Sequence, residues 1–249
     1  MDIKFLGTNG WYATSSGNTV CSVIFAKDRL IVLDAGDGFY KVAAEAEKTG
    51  IKKIDVFLSH IHLDHVIGLH ALPMLKKGTE VDIFVDYSYL ARLKALLDHP
   101  YTANLEQLHA KVRIIPISVG QSPLPYVADV KHLEHADPCL GYRFNIEGKT
   151  IAYCTDSGPH RNIEVLAHDA DLLITECGLM PGGKSNPEWP HMSPEDAARA
   201  AKAAGVKKLV LTHFRVDYTD QQKRKKAEAS ARTIFGNTIA AHDGLELSF

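Results

Sequence analysis

Cysteine is scarce and scattered. Cys21, Cys139, Cys154 and Cys177 are the four among 249 residues, and no two form a CxxC. That spacing excludes a compact disulfide framework and a cysteine-only zinc site, leaving reduced and mostly buried thiols. Neither sign of charge is in excess: 28 Lys and Arg stand against 30 Asp and Glu, a formal net charge of −2. The chain therefore lacks the overall basic field that would gather a polyanion, and any contact with nucleic acid must be local. No uninterrupted apolar run approaches the length of a membrane span, and Met1-Asp2-Ile3-Lys4-Phe5-Leu6-Gly7 lacks the basic, apolar and small-residue segments of a secretory signal. The expectation is a cytoplasmic protein with no membrane partner. Internal repeats, low-complexity tracts and shifts of composition are missing too, so residues 1–249 are expected to form one domain.

What is present is alternation of short apolar strands with helical stretches. Strand patterns fall at 3–6, 20–25, 30–33 and 54–58, then through a strand-rich middle at 114–117, 127–133, 141–146 and 150–154, and again at 207–212. Helical spacing covers 39–48, 66–75, 87–97 and 220–234. Ser193-Pro194-Glu195-Asp196 is a strong helix start: serine caps free amides, proline suits the first helical position, and the acids complement the dipole. That helix is expected to run to about Gly205. The Lys- and Arg-rich run within 220–234 is expected to be a solvated face.

The chemistry concentrates in Ser59-His60-Ile61-His62-Leu63-Asp64-His65, after an apolar strand and before a helix. His60 and His62, two apart in extended chain, point to one side, while Asp64 and His65 sit where the chain turns into the helix. One loop can thus serve two neighbouring metals. Imidazole nitrogen with carboxylate oxygen suits zinc, and also manganese or iron; without cysteine in the cluster the choice stays open.

HIHLDH resembles the HxHxDH signature of the metallo-β-lactamase superfamily, and the likeness continues along nearly the whole chain. Leu6-Gly7-Thr8 and Asp34-Ala35-Gly36-Asp37-Gly38 are similar to the motifs that precede it. His135 in 135–143, Asp156 in 153–158 and His213 in Leu211-Thr212-His213-Phe214 are similar to those that follow. The resemblance implies a four-layer αββα sandwich of two mixed sheets flanked by helices. It implies two divalent metal ions, zinc foremost: His60, His62 and His135 on one, Asp64, His65 and His213 on the other, with Asp156 bridging. Asp34 would orient a ligand histidine or the motif loop. A water held by such a pair is nucleophilic at neutral pH, and Asp64 would also aim it. Two divalent cations, less two aspartates and a hydroxide, leave about one positive charge, which favours a small anionic substrate such as a phosphodiester. His132 matches no motif and lies on the opposite strand face from His135; His70, His99, His109, His160 and His168 likewise match nothing.

Pro190-His191-Met192-Ser193 ahead of an alanine-rich helix resembles the ribonuclease Z branch, with its relatives that cleave small phosphodiesters. By that resemblance His191 contacts the scissile phosphate and protonates the leaving oxygen. Glu176 is its supporting acid or, equally, a structural hydrogen-bond partner. Trp189 is either a stacking residue near His191 or a core or hinge tryptophan. Ribonuclease Z enzymes grip transfer RNA with a protruding arm, which in common bacterial forms lies between the third and fourth motifs. Here only a hairpin-sized connection, 141–150, joins His135 to Asp156. Cleavage of a small phosphodiester is therefore expected ahead of transfer-RNA 3′ processing, with nucleic acid admitted but not favoured. Ester, lactone or aryl-sulfate hydrolysis is the other enzymatic alternative, and a homodimer is admitted by the relatives' habit. A scaffold that kept only the fold is disfavoured because all seven ligand positions are filled; an oxygen-handling iron pair is disfavoured because no electron-delivering domain follows His213.

Overall fold

The computed structural model describes residues Met1–Phe249. Six strands open the chain: β1 (Asp2–Gly7), β2 (Cys21–Phe25), β3 (Leu30–Leu33), β4 (Lys53–Phe57), β5 (Glu80–Asp86) and β6 (Lys111–Ile117). Six more follow as β7 (Val127–Leu133), β8 (Cys139–Ile146), β9 (Lys149–Cys154), β10 (Leu172–Cys177), β11 (Leu209–Phe214) and β12 (Thr238–Ala240), and β13 (Glu246–Ser248) closes the chain. The first sheet runs β13-β1-β2-β3-β4-β5-β6 and the second β12-β11-β10-β9-β8-β7. Both are mixed: antiparallel pairs among β1, β2, β3 and β13 and among β7, β8 and β9, parallel pairs elsewhere.

Period-two alternation splits each strand between two cores. In β3, Ile31 and Leu33 face the second sheet while Leu30 and Val32 face outward; in β9, Ile151 and Tyr153 face inward, Ala152 and Cys154 outward. Between the sheets Phe57 stacks on Phe84 at 4.6 Å, and Tyr142 and Phe144 meet it edge-on at 5.4 and 5.0 Å. Such ring pairs add about 0.5–1.5 kcal/mol each beyond the area they bury. The outer core of the first sheet is closed by α1 (Val42–Thr49), α2 (Leu63–Val66) with the 3₁₀ stretch that follows it, and α3 (Leu90–Leu96). That of the second is closed by α4 (Arg161–Ala167), α5 (Pro194–Ala204) and α6 (Gln221–Arg232). The result is helix, sheet, sheet, helix. No helix is long and apolar enough to cross a membrane.

Helix α5 starts as its sequence demands. Ser193 and Asp196 form a reciprocal capping box, Pro194 follows the cap, and Gly205 ends the helix at φ 69°. The stretch 66–75 departs from expectation: after the four residues of α2 the backbone leaves helical geometry at Val66, φ −133°, and continues as a 3₁₀ helix, Ile67–Met74, which ends just past Pro73. The 207–212 strand begins two residues later and ends at Phe214, which places His213 inside its last turn of pleat. Strands β5, β12 and β13 are not singled out by the sequence pattern; acids interrupt the first and the others are three residues long. All four cysteines are free and buried.

The basic run in α6 is only partly a solvated face. Lys225 and Lys226 are exposed, but Arg224 is 1 % exposed. Its guanidinium donates to Thr8 Oγ1 at 2.7 Å, to the Ala241 carbonyl at 3.0 Å and to Asn9 Oδ1, and lies 4.5 Å over the Phe214 ring. It thereby ties α6 to the turn after β1. Arg224→Met keeps the apolar stem but takes a charged donor away from three buried acceptors, of which Asn9 Oδ1 keeps a second donor in Ser16. The expected loss is about 3 kcal/mol, a fall in Tm of about 6–12 °C for a domain of this size. An unchanged melting curve would deny Arg224 that role.

Candidate metal centre

The carboxyl ends of β3, β4, β9, β10 and β11 meet along one edge, and each supplies a residue of the cluster or its support. After β4 the chain stays extended through His60 and His62, then enters α2 with Asp64 and His65 in its first turn. Asp34 follows β3, Asp156 follows β9 and His213 ends β11; all three have left-handed backbones, with φ 55°, 59° and 48°. Non-glycine residues pay about 1–2 kcal/mol for that conformation, and such strain collects where side chains must be aimed.

Three overlapping groups of ligand-type atoms result, each mutually within 4.8 Å: His60, His62, His135 and Asp156; Asp64, His65 and His213; and Asp156, Glu176 and His213, of which the first two divide the motif residues into separate sets. In the first, His135 Nε2 lies 3.4 Å from His62 Nδ1, and His60 Nε2 is buried without a hydrogen-bond partner. In the second, His65 Nε2 faces His213 Nε2 at 3.1 Å, and Asp64 Oδ2 is 3.3 Å from His213 Nε2. Asp156 Oδ2 stands between the sets, 3.4 Å from His60, 3.5 Å from His65, 3.6 Å from His213 and 3.7 Å from His135. Two ligands each about 2.1 Å from one tetrahedral zinc are about 3.4 Å apart. The donor sets therefore fit two metal ions.

The electrostatics agree with that fit. Burial pushes the His60 and His135 imidazoles below their usual range, so their nitrogen lone pairs are free. For His65 and His213 burial acts the same way, but the carboxylates Asp64 and Asp34 at His65, and Asp156 and Asp64 at His213, outweigh it and raise both. Burial would raise Asp156 and Asp64, yet the surrounding imidazoles hold both far below the ordinary carboxylate range. A cation in each set would supply the positive charge these acids otherwise draw from protonated histidine.

Asp34 both orients a histidine and fixes the motif loop. It accepts from His65 Nδ1 at 2.8 Å, from the Ser59 amide and hydroxyl at 2.7 and 2.8 Å, and from Tyr153 at 2.6 Å. His65 thus presents Nε2 to the cluster. Asp137 pairs His62 Nε2 at 3.1 Å, leaving Nδ1 to face His135; nothing in the sequence marks it for this.

His191 is buried on the loop before α5, its Nδ1 3.1 Å from both Glu176 oxygens and 3.1 Å from Asp156 Oδ1. Burial alone would lower this imidazole, but the carboxylates Glu176 and Asp156 push it up to about 10. Glu176, fully buried, also accepts the Gly178 amide at 2.8 Å and the Ser157 amide. A Cβ on Gly178 would lie 2.2 Å from Glu176 and 2.9 Å from His191, so the pair can close only over glycine.

An open cleft lies above the cluster. His62, Asp64, His135, Asp156, His191 and His213 line it, with Gly10, Trp11, Gly178, Trp189 and Arg215; His60, His65 and Glu176 stand behind. Gly10 and Trp11 are unannounced in the sequence. A Cβ on Gly10 would come 2.5 Å from the His213 ring, and the Trp11 amide donates to Asp64 Oδ2 at 2.7 Å. Trp189 is 43 % exposed and meets His191 edge-on, so it belongs to the cleft rather than the core. His132 stays outside, mostly exposed, 3.4 Å from Asp86, and His160 caps α4. His70, His99, His109 and His168 join no ligand cluster.

Comparison with known proteins gives a consistent picture. The family model described as "Beta-lactamase superfamily domain" matches residues 29–214. Ribonuclease Z of Methanosarcina mazei is 27% identical, the alignment covering 98% of this chain and 97% of the relative. Among solved structures, the metallo-beta-lactamase fold protein YhfI from Bacillus subtilis superposes with a TM-score of 0.81 at 20% identity, covering 99% of this chain and 98% of its own. A diphosphatase from the PhnP family gives 0.72 at 20% identity, covering 100% and 97%.

Proposed function

Because the chain belongs to the β-lactamase superfamily and is a hydrolase of the metallo-β-lactamase fold, we propose that it is a phosphodiesterase working through two divalent metal ions, zinc foremost. His60, His62 and His135 would hold one, Asp64, His65 and His213 the other, with Asp156 shared. The observation that carries this is the pair of close imidazole contacts, 3.4 Å in one set and 3.1 Å in the other, with one carboxylate oxygen between them. Bound there, the metals supply a water made nucleophilic at neutral pH and positive charge for the oxygens of the group displaced.

The protein's own part is positioning and proton delivery. Asp64 accepts a hydrogen bond from the attacking water and aims it. His191, held through Nδ1 by Glu176 and Asp156, offers Nε2 as the proton donor for the leaving oxygen. An imidazolium beside two cations favours an anionic diester over a neutral amide or lactone.

The hairpin of β8 and β9 supports a small substrate. They are joined by the two-residue turn Glu147-Gly148, both at positive φ, which leaves no arm for the transfer-RNA elbow. A small diester is accordingly the leading substrate. Ribonuclease Z-type cleavage is the second reading, favoured by a relative of that name aligned over nearly the whole chain.

The test strips the metals and returns zinc or manganese stepwise while following bis(p-nitrophenyl) phosphate, an aryl sulfate, a lactone and a precursor transfer RNA. Diester turnover is expected to reappear as occupancy approaches two per chain and to exceed the other three. Two bound metals without diester turnover would sink the proposal.

A further inference from the structure

Trp11 and Trp189 are the two tryptophans of the chain, and both line the cleft. Their situations differ. Trp189 is accounted for by its neighbours: its ring lies 4.2 Å from the His191 ring, centroid to centroid, Arg215 sits over it at 5.2 Å, and its amide closes a turn onto the Asn186 carbonyl at 3.0 Å. Trp11 is 66 % exposed, and its ring has neither an aromatic nor a cationic neighbour of that kind. Its backbone lies at φ 72°, where a large side chain is disfavoured and glycine is at ease. The residue's one bond to the site, from its amide to Asp64, would be made equally by glycine. Neither packing nor backbone geometry asks for an indole here. An exposed apolar ring on a left-handed backbone costs stability twice, and its remaining use is toward what enters the cleft.

Resting on the phosphodiesterase reading, we propose that Trp11 is a stacking platform for a nucleobase carried next to the scissile phosphate. The substrate class is then nucleotide diesters, cyclic nucleotides and short oligonucleotides, rather than sugar or alkyl diesters. An indole offers a rigid face on which any base can lie. Its amide donates to Asp64 Oδ2 at 2.7 Å, which seats the residue on the wall of the cleft beside the reacting centre.

Calorimetric titration of the metal-loaded protein with adenosine 5′-monophosphate and with ribose 5-phosphate isolates the base. One stacked base is worth about 5- to 150-fold in affinity, so wild type should favour the nucleotide by about tenfold or more. Trp11→Ala should erase that ratio while moving ribose 5-phosphate by less than about twofold, and Trp11→Phe should restore most of it. Trp11→Gly should melt no lower than wild type, because it relieves the left-handed strain. Equal affinities in wild type, a ratio that survives Trp11→Ala, failure of both ligands to bind, or a markedly lower Tm for Trp11→Gly would each overturn the platform. Because binding rather than turnover is read, a base preference lost with Trp11 but no diester hydrolysis keeps the platform and removes the chemistry; hydrolysis without base preference does the reverse.

Discussion

Asp156→Ala is expected to lower diester hydrolysis by about 10³-fold or more and to leave the protein with at most one tightly held metal, since losing even an outer partner of a ligand costs about 10–100-fold. The reason lies in how many groups converge on this one carboxylate. Its Oδ2 is 3.4–3.7 Å from the Nε2 atoms of His60, His65, His213 and His135, and its Oδ1 is 3.1 Å from His191 Nδ1. No other carboxylate oxygen approaches four of the ligand imidazoles in this way, so removing it would separate the two sets electrostatically and loosen His191 as well. Asp156→Asn separates charge from shape: an amide oxygen still fits the space but cannot offset two cations. It is expected to retain the fold and lose activity almost as fully. Elemental analysis beside kcat checks both variants. Two metals per chain with more than about a tenth of wild-type activity in Asp156→Ala would contradict the shared-ligand arrangement.

How much of this was readable from the chain depended on local density. Three imidazoles and a carboxylate within 60–65 announce a metal cluster by themselves, because one extended loop entering a helix must bring them together. His135, Asp156 and His213 come singly, one from each of three distant segments, and only their likeness to known motifs distinguished them from His132. Residues that work through the meeting of loops left less trace. Asp137 reaches His62 across 75 positions, and Trp11 reaches Asp64 across 53. Arg224 hid inside a lysine-rich run, yet a signal was there: Arg224, Ala227 and Ala231 stand at i, i+3 and i+7, one helix face, and all three are buried. The 66–75 stretch misled in the other sense, its apolar spacing suggesting an α-helix where the backbone breaks at Val66 and goes on as 3₁₀.

His191→Ala should divide substrates by their leaving groups. With a nucleoside alkoxide to expel, loss of a positioned proton donor is expected to cost about 10²–10⁴-fold in kcat. p-Nitrophenolate departs without needing a proton, so on bis(p-nitrophenyl) phosphate the same variant should lose less than about tenfold. The split follows from the geometry: Nδ1 is committed to Glu176 and Asp156, which aim the ring and favour its charged form, and Nε2 is the end left for the cleft. Glu176→Gln tests the support. Both Glu176 oxygens accept backbone amides, from Ser157 and Gly178, so a glutamine must turn its NH₂ toward one of those donors and cannot replace the acid without loss. Its effect should show the same dependence on leaving group as His191→Ala, though smaller. Equal losses on both substrates for His191→Ala would mean that the histidine serves by holding Asp156 in place, and the proton donor would have to be sought elsewhere along the cleft.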